Sequence, residues 1–89
     1  MVLLVRNRVK DIDRWKGALD GDAARGAAAG LTVLHVWRSV DASDEVFFLL
    51  GVEDRDRAEA FMALPESAAV GVEAGVLDGE VHFLEELPP

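Results

Sequence analysis

From Val2 to Val9 the chain reads VLLVRNRV, apolar and β-branched at first and then alternating, a pattern that predicts a strand. Leu3, Val5, Asn7 and Val9 share one face by parity, and Val2, Leu4, Arg6 and Arg8 share the other. Asp11 follows as an N-cap, with Asp13 well placed against a helix dipole. Ile12, Trp15, Leu19 and Ala23 then recur at helical spacing, predicting one helix that lies on a sheet and ends near Gly30. Gly17, Gly21 and Gly26 each weaken that helix by up to about 1 kcal/mol, so packing must hold it.

Residues 31–40 and 45–52 predict two further strands around the turn DASD, whose side-chain oxygens suit a reversal too short for anything but antiparallel pairing. Alternation sends Leu34 and Val36 one way and Val33, His35 and Trp37 the other. The third strand contains VFFLLGV, apolar on both faces, so both faces need cover. Asp54 and Asp56 open a second helix, Pro65 interrupts and restarts it, and Gly75 ends it. Residues 79–87 predict the last strand, closed by Pro88 and Pro89. The order βαββαβ favours an α+β, ferredoxin-like fold, a four-stranded antiparallel sheet with its helices on one side. The helix-free face then carries Val33, Trp37, Phe47, Leu49 and Leu84, and an apolar face of that kind predicts a homodimer packed sheet against sheet.

Composition narrows this picture. A chain of 89 residues is one domain, residues 1–89, too small for two cores, and burial against a partner would add to its stability. It has no cysteine, which excludes disulfides, thiolate metal sites and a cysteine nucleophile. The net charge of −8, from 17 acidic and 9 basic side chains, opposes nucleic-acid binding. The opening MVLLVRNRV lacks a signal peptide's length and cleavage site, and nothing approaches the roughly 18 apolar residues of a membrane span, so a cytoplasmic protein is expected.

Candidate chemistry gathers on the helix-free face. Arg6, His35, Trp37 and His82 all fall there by parity, and a register placing Arg6 opposite His82 and Arg8 opposite Glu80 would bring them close. Two imidazoles and a guanidinium can hold a phenolate or enolate and move a proton near neutral pH, while Trp37 stacks on the ring and Phe47 and Leu49 supply apolar contact. The same side chains equally suit the polar rim of a dimer, paired with carboxylates. Two histidines on separate strands fall short of a metal site, so neither metal nor cofactor is expected. Gly71, Gly75 and Gly79 do not open a helix after a strand as a phosphate-binding loop would, and Ser39, Ser43 and Ser67 lack any triad context.

The stretches VLLVRNRVKDIDRWKGALD, AAGLTVLHVWRS, DEVFFLLGVEDRDRAEAF and AGVLDGEVHFLE together resemble the small dimeric α/β-barrel proteins, in particular the short cyclase and antibiotic-biosynthesis-monooxygenase-like members. The resemblance implies a homodimeric barrel with ligand pockets between sheet and helices. Cofactor-independent monooxygenases of that superfamily use an asparagine on the first strand and a tryptophan to hold an aromatic substrate; Asn7 matches the asparagine, while Trp15 and Trp37 both stand as candidates for the tryptophan. Its haem-degrading branch uses a histidine on the second helix, and residues 54–75 contain none. The expected function is a cofactor-independent cyclase or monooxygenase acting on an aromatic polyketide-type substrate, or else a non-catalytic dimeric binding or structural protein on the same fold.

Overall fold

In the computed structural model, which describes residues 1–89, this pattern resolves into eight elements: β1 (Val2–Val9), α1 (Ile12–Gly21), α2 (Ala23–Ala28), β2 (Leu31–Arg38), β3 (Glu45–Val52), α3 (Arg55–Ala63), α4 (Pro65–Glu73) and β4 (Val76–Leu84). The strands form one antiparallel sheet in the order β2-β3-β1-β4, the ferredoxin-like arrangement. The smallest dimension of the molecule is 18 Å, which leaves room for one sheet and one helical layer.

The caps act where their side chains predict. Asp11 accepts from the Arg14 amide at 2.8 Å and Asp54 from the Arg57 amide at 2.9 Å, each satisfying a donor that the helix start leaves free. The first predicted helix is nevertheless a pair, while the second is interrupted and restarted at Pro65 as its sequence predicts. The first breaks at Asp22, whose φ of −95° and ψ of 0° depart from helical values within a glycine-weakened stretch. The second breaks at Leu64, held extended because a residue before proline avoids the helical region, and Pro65 opens α4 where its missing N–H costs nothing. Gly30 at φ 79° and Gly75 at φ 80° follow the two helical segments in the left-handed conformation that glycine adopts freely.

Strand limits differ from expectation at three places, one of them the end of the last strand at Leu84 in place of residue 87. β2 stops at Arg38, because Ser39 Oγ accepts from the amides of Asp41 and Ala42, both at 3.1 Å, and turns the chain. β4 starts at Val76, not at residue 79, since Val76 already pairs with Val9 and the Lys10 amide donates to the Gly75 carbonyl at 3.0 Å.

Two departures from the expected pairing alter side-chain direction and register. In β2, Val33 lies opposite Leu50 while His35 lies opposite Leu49, so Leu34 is the extra residue. Val33 therefore belongs to the helix-covered face, contrary to parity. Leu34 turns to the open face and packs against Gly51, within 3.7 Å of where a Cβ would stand. The register of β1 and β4 also differs from the expected one by two residues: Arg6 faces Glu80, Arg8 faces Asp78, and His82 faces Leu4.

The core lies between sheet and helices. Leu3, Val5 and Val9 from β1 meet Val46 and Phe48 from β3, with Trp15 of α1 above them and its ring 5.6 Å from that of Phe48. Only 11 of 89 residues are buried, so this core is small for its chain. The second sheet face has no helical cover. Trp37 is 47% and Leu34 48% exposed there, with Phe47 and Leu49 half-buried beside them.

Candidate functional site

A cavity of about 410 Å³ separates the helices from the sheet, within the size range of small-molecule sites. Leu3, Val5, Phe48 and Leu50 form its floor, and Trp15, Met62 and Val70 belong to the helices above. Only three polar side chains reach it: Asn7, Asp22 and Ser67. It opens between α1 and α4, where a groove lined by Arg14, Ala18, Gly21, Asp22, Val70 and Glu73 shares three residues with the cavity wall. Arg14 ties the two helices together beside that mouth by donating from Nε to the Glu73 carbonyl at 2.6 Å, in the last turn of α4.

Asn7 owes its position to a glycine. It faces Gly79 across β1 and β4, and a Cβ at position 79 would overlap Asn7 Oδ1 and stand 2.7 Å from the Arg6 carbonyl oxygen. The carboxamide therefore lies over bare backbone, half-buried, at the edge of an apolar space. Its neighbours Arg6 and Arg8 engage carboxylates on the opposite face.

The distal end of the cavity is braced by Arg25. Its Nη1 donates to Asp22 Oδ1 at 3.1 Å and its Nη2 to Ser67 Oγ at 3.0 Å, while Ser67 donates to the Phe61 carbonyl at 2.6 Å. The guanidinium also sits 4.8 Å from the centre of the Phe61 ring, a cation–π geometry.

On the open face, Arg6 is surrounded by carboxylates. Its Nη2 lies 3.0 Å from Glu45 Oε2, and its Nη1 lies 3.4 Å from Asp78 Oδ1 and 3.6 Å from Glu80 Oε1. The hydrogen bond with Glu45, then the charges of Glu45, Asp78 and Glu80, raise the guanidinium pKa above its ordinary value against the opposing effect of desolvation. Arg8 donates to Asp78 at 2.9 Å, and chiefly through that bond holds the Asp78 carboxyl below its usual range. His82 Nε2 lies 3.0 Å from Glu80 Oε2, and His35 stacks on Trp37 at 5.3 Å and 20°.

The expected site residues thus divide between two faces. Arg6, His35, His82, Trp37, Phe47 and Leu49 share the open face, whereas Asn7 lines the cavity. His35 and His82 sit on opposite edge strands, three strand spacings or about 14 Å apart, so one chain does not bring them together. Trp15, the indole within reach of a cavity ligand, reads in sequence as core and is both. Arg25, Asp22 and Ser67 escaped sequence reading. The one available signal was a lone arginine in the small-residue run AARGAA, where a charge must serve something beyond helix packing.

No protein-family model and no curated protein matches the chain. Solved structures do. An antibiotic biosynthesis monooxygenase aligns over 99% of this chain and 100% of its own at TM-score 0.70 and 16% identity. The N63A mutant of SnoaB, a cofactor-independent oxygenase from Streptomyces nogalater, aligns over 99% and 95% at 0.71 and 15%. A candidate antibiotic biosynthesis monooxygenase from Bordetella bronchiseptica aligns over 98% and 96% at 0.79 and 12%. The chain therefore has the ferredoxin-like α+β fold of the antibiotic biosynthesis monooxygenase domain. At these identities the likeness concerns the fold.

Proposed function

We propose that the protein is a cofactor-independent oxygenase that oxidises an aromatic, polyketide-type substrate in the cavity between sheet and helices, working as a cytoplasmic homodimer. The observation that carries this reading is the Asn7 carboxamide at the edge of a largely apolar cavity of about 410 Å³ that Trp15 also lines. The fold shared with SnoaB supports it.

The chemistry needs little from the protein. A phenolic ring system bearing an acidic CH₂ ionises to an enolate, and the Asn7 N–H₂ would donate to that oxygen, stabilising negative charge in surroundings of low dielectric. The enolate passes one electron to molecular oxygen, the two radicals join in a C–O bond, and the resulting hydroperoxide loses water. The balance is R₂CH₂ + O₂ → R₂C=O + H₂O. Trp15 and Phe48, packed on each other in the cavity wall, offer the ring an aromatic surface, and the apolar walls keep bulk water from the reactive pair.

The open face supports the dimer. Trp37, Phe47 and Leu49 would pack against a second copy, with the ion-paired Arg6, and His82 beside Glu80, at the polar margin. A second reading places the reaction there, with His35, His82 and Arg6 moving the proton and Trp37 stacking on the ring; their common face favours it, and it requires two copies.

Anthrone turnover in air, followed by appearance of the quinone, tests the proposal. Asn7→Ala is expected to lower kcat by about 10²-fold, as loss of an oxyanion donor does, and His35→Ala and His82→Ala to leave it within about twofold. The opposite pattern favours the open face, and a wild-type protein inert towards anthrone and its hydroxylated relatives sinks the oxygenase reading.

A further inference from the structure

We infer that the distal end of the cavity, formed by Ser67 and Asp22 and held by Arg25, is a specificity subsite that selects ligands carrying a hydroxyl at the end remote from Asn7. This inference rests on the cavity being the ligand site. The two polar ends are well separated. α1 begins directly after β1 and runs back along it, so Asp22 at its end lies near the start of the strand, while Asn7 lies near the strand's finish. Leu3, which lines the cavity, is four residues from Asn7, or about 13 Å along a strand. A ligand reaching both ends is therefore elongated, and between them it meets apolar walls.

The hydrogen-bond inventory fixes what the distal end accepts. Ser67 spends its one O–H on the Phe61 carbonyl and one lone pair on Arg25, which leaves it an acceptor only. Asp22 is likewise acceptor-only when ionised, and Oδ1 is the atom that Arg25 takes. A phenolic O–H satisfies these groups. A methoxy or carbonyl oxygen in the same place would set lone pair against lone pair, and a ligand carboxylate would meet a second carboxylate whose charge Arg25 already neutralises. Asn7 offers both donor and acceptor and makes no such distinction. The substrate class implied is a linear polycyclic phenol with a free hydroxyl on its terminal ring.

The test compares 2,6-dihydroxyanthracene with 2,6-dimethoxyanthracene, bound without oxygen and followed by the anisotropy of the ligand's own fluorescence. The diol is expected to bind about tenfold tighter, a preference that one hydrogen bond can supply. Ser67→Ala should reduce the preference to about twofold by weakening the diol alone. Asp22→Asn, which brings an N–H₂ to the same place, should strengthen the dimethoxy compound, an effect that mere disturbance of the helices cannot produce. Equal binding of the two compounds, or equal weakening of both by Ser67→Ala, overturns the subsite. If both bind and Asn7→Ala weakens both, but no preference for the diol is found, the subsite falls and the cavity reading stands. If neither binds, both fall.

Discussion

Gly79 has no chemistry of its own, yet it decides where Asn7 can lie. Gly79→Ala is expected to cost about 1–3 kcal/mol, the range for overpacking a closed site, because the new methyl must displace the Asn7 side chain or the Arg6 carbonyl. Thermal unfolding should show a lower Tm, and ligand binding should weaken with it. On the other face, Asp78 links acidity to stability. Its carboxyl is depressed below the ordinary 3.8 chiefly by the Arg8 hydrogen bond, so its contribution is complete above that value and is lost as pH falls through the depressed one. Asp78→Asn should flatten that part of the acid limb in a pH series of urea melts; an unchanged limb would count against the pairing. The face on which Asn7 lies was legible because strand parity holds along β1, and so was the fate of Trp15 as core. Arg25 was not, since its partners Asp22 and Ser67 come together only when α2 meets α4, 42 residues apart in the case of Ser67.

Among the elements, the helices are looser than their pattern suggests. Gly17 and Gly21 sit in α1 with nothing within 4 Å of the position a Cβ would take, so neither glycine serves close packing. Gly17→Ala should therefore stabilise the fold by about 0.5–1 kcal/mol, raising Tm by several degrees in a domain of this size. A loss of stability there would mean that α1 packs more closely than the open space around Gly17 implies. Caps, Pro65 and the hairpin turn were all readable, because each is a local device whose residues name it. The β2 bulge was not. An extra residue at Leu34 leaves no mark in the run LTVLHV, where two apolar residues stand side by side, and it reverses Val33 while leaving His35 and Trp37 where parity put them. The register of β4 failed for a similar reason: Leu77 and Gly79 give few directional cues, so the strand's start and its pairing with β1 were each misplaced by two or three residues.

At the scale of the molecule, the helices cover one face of the sheet and leave the second apolar face of the third strand open. Phe47 and Leu49 face away from the helices, and with Trp37 and Leu34 they make the apolar surface that the proposed dimer would cover. Leu49→Asp should yield a species of 9.6 kDa in sedimentation at micromolar concentration where the unaltered chain sediments at twice that mass. A wild-type monomer under those conditions would remove the dimer. The fold was legible because the βαββαβ order and handedness leave few topologies, whereas the choice between two candidate faces depended on a cavity that no sequence pattern announces. That choice is the central claim, and a crystal structure with 2,6-dihydroxyanthracene bound tests it most directly. The expected result is the ring in the cavity beside Trp15, with one oxygen in hydrogen-bonding distance of Asn7 and the other at Ser67. A ring found instead against Trp37 and Phe47, with the cavity empty, would contradict it.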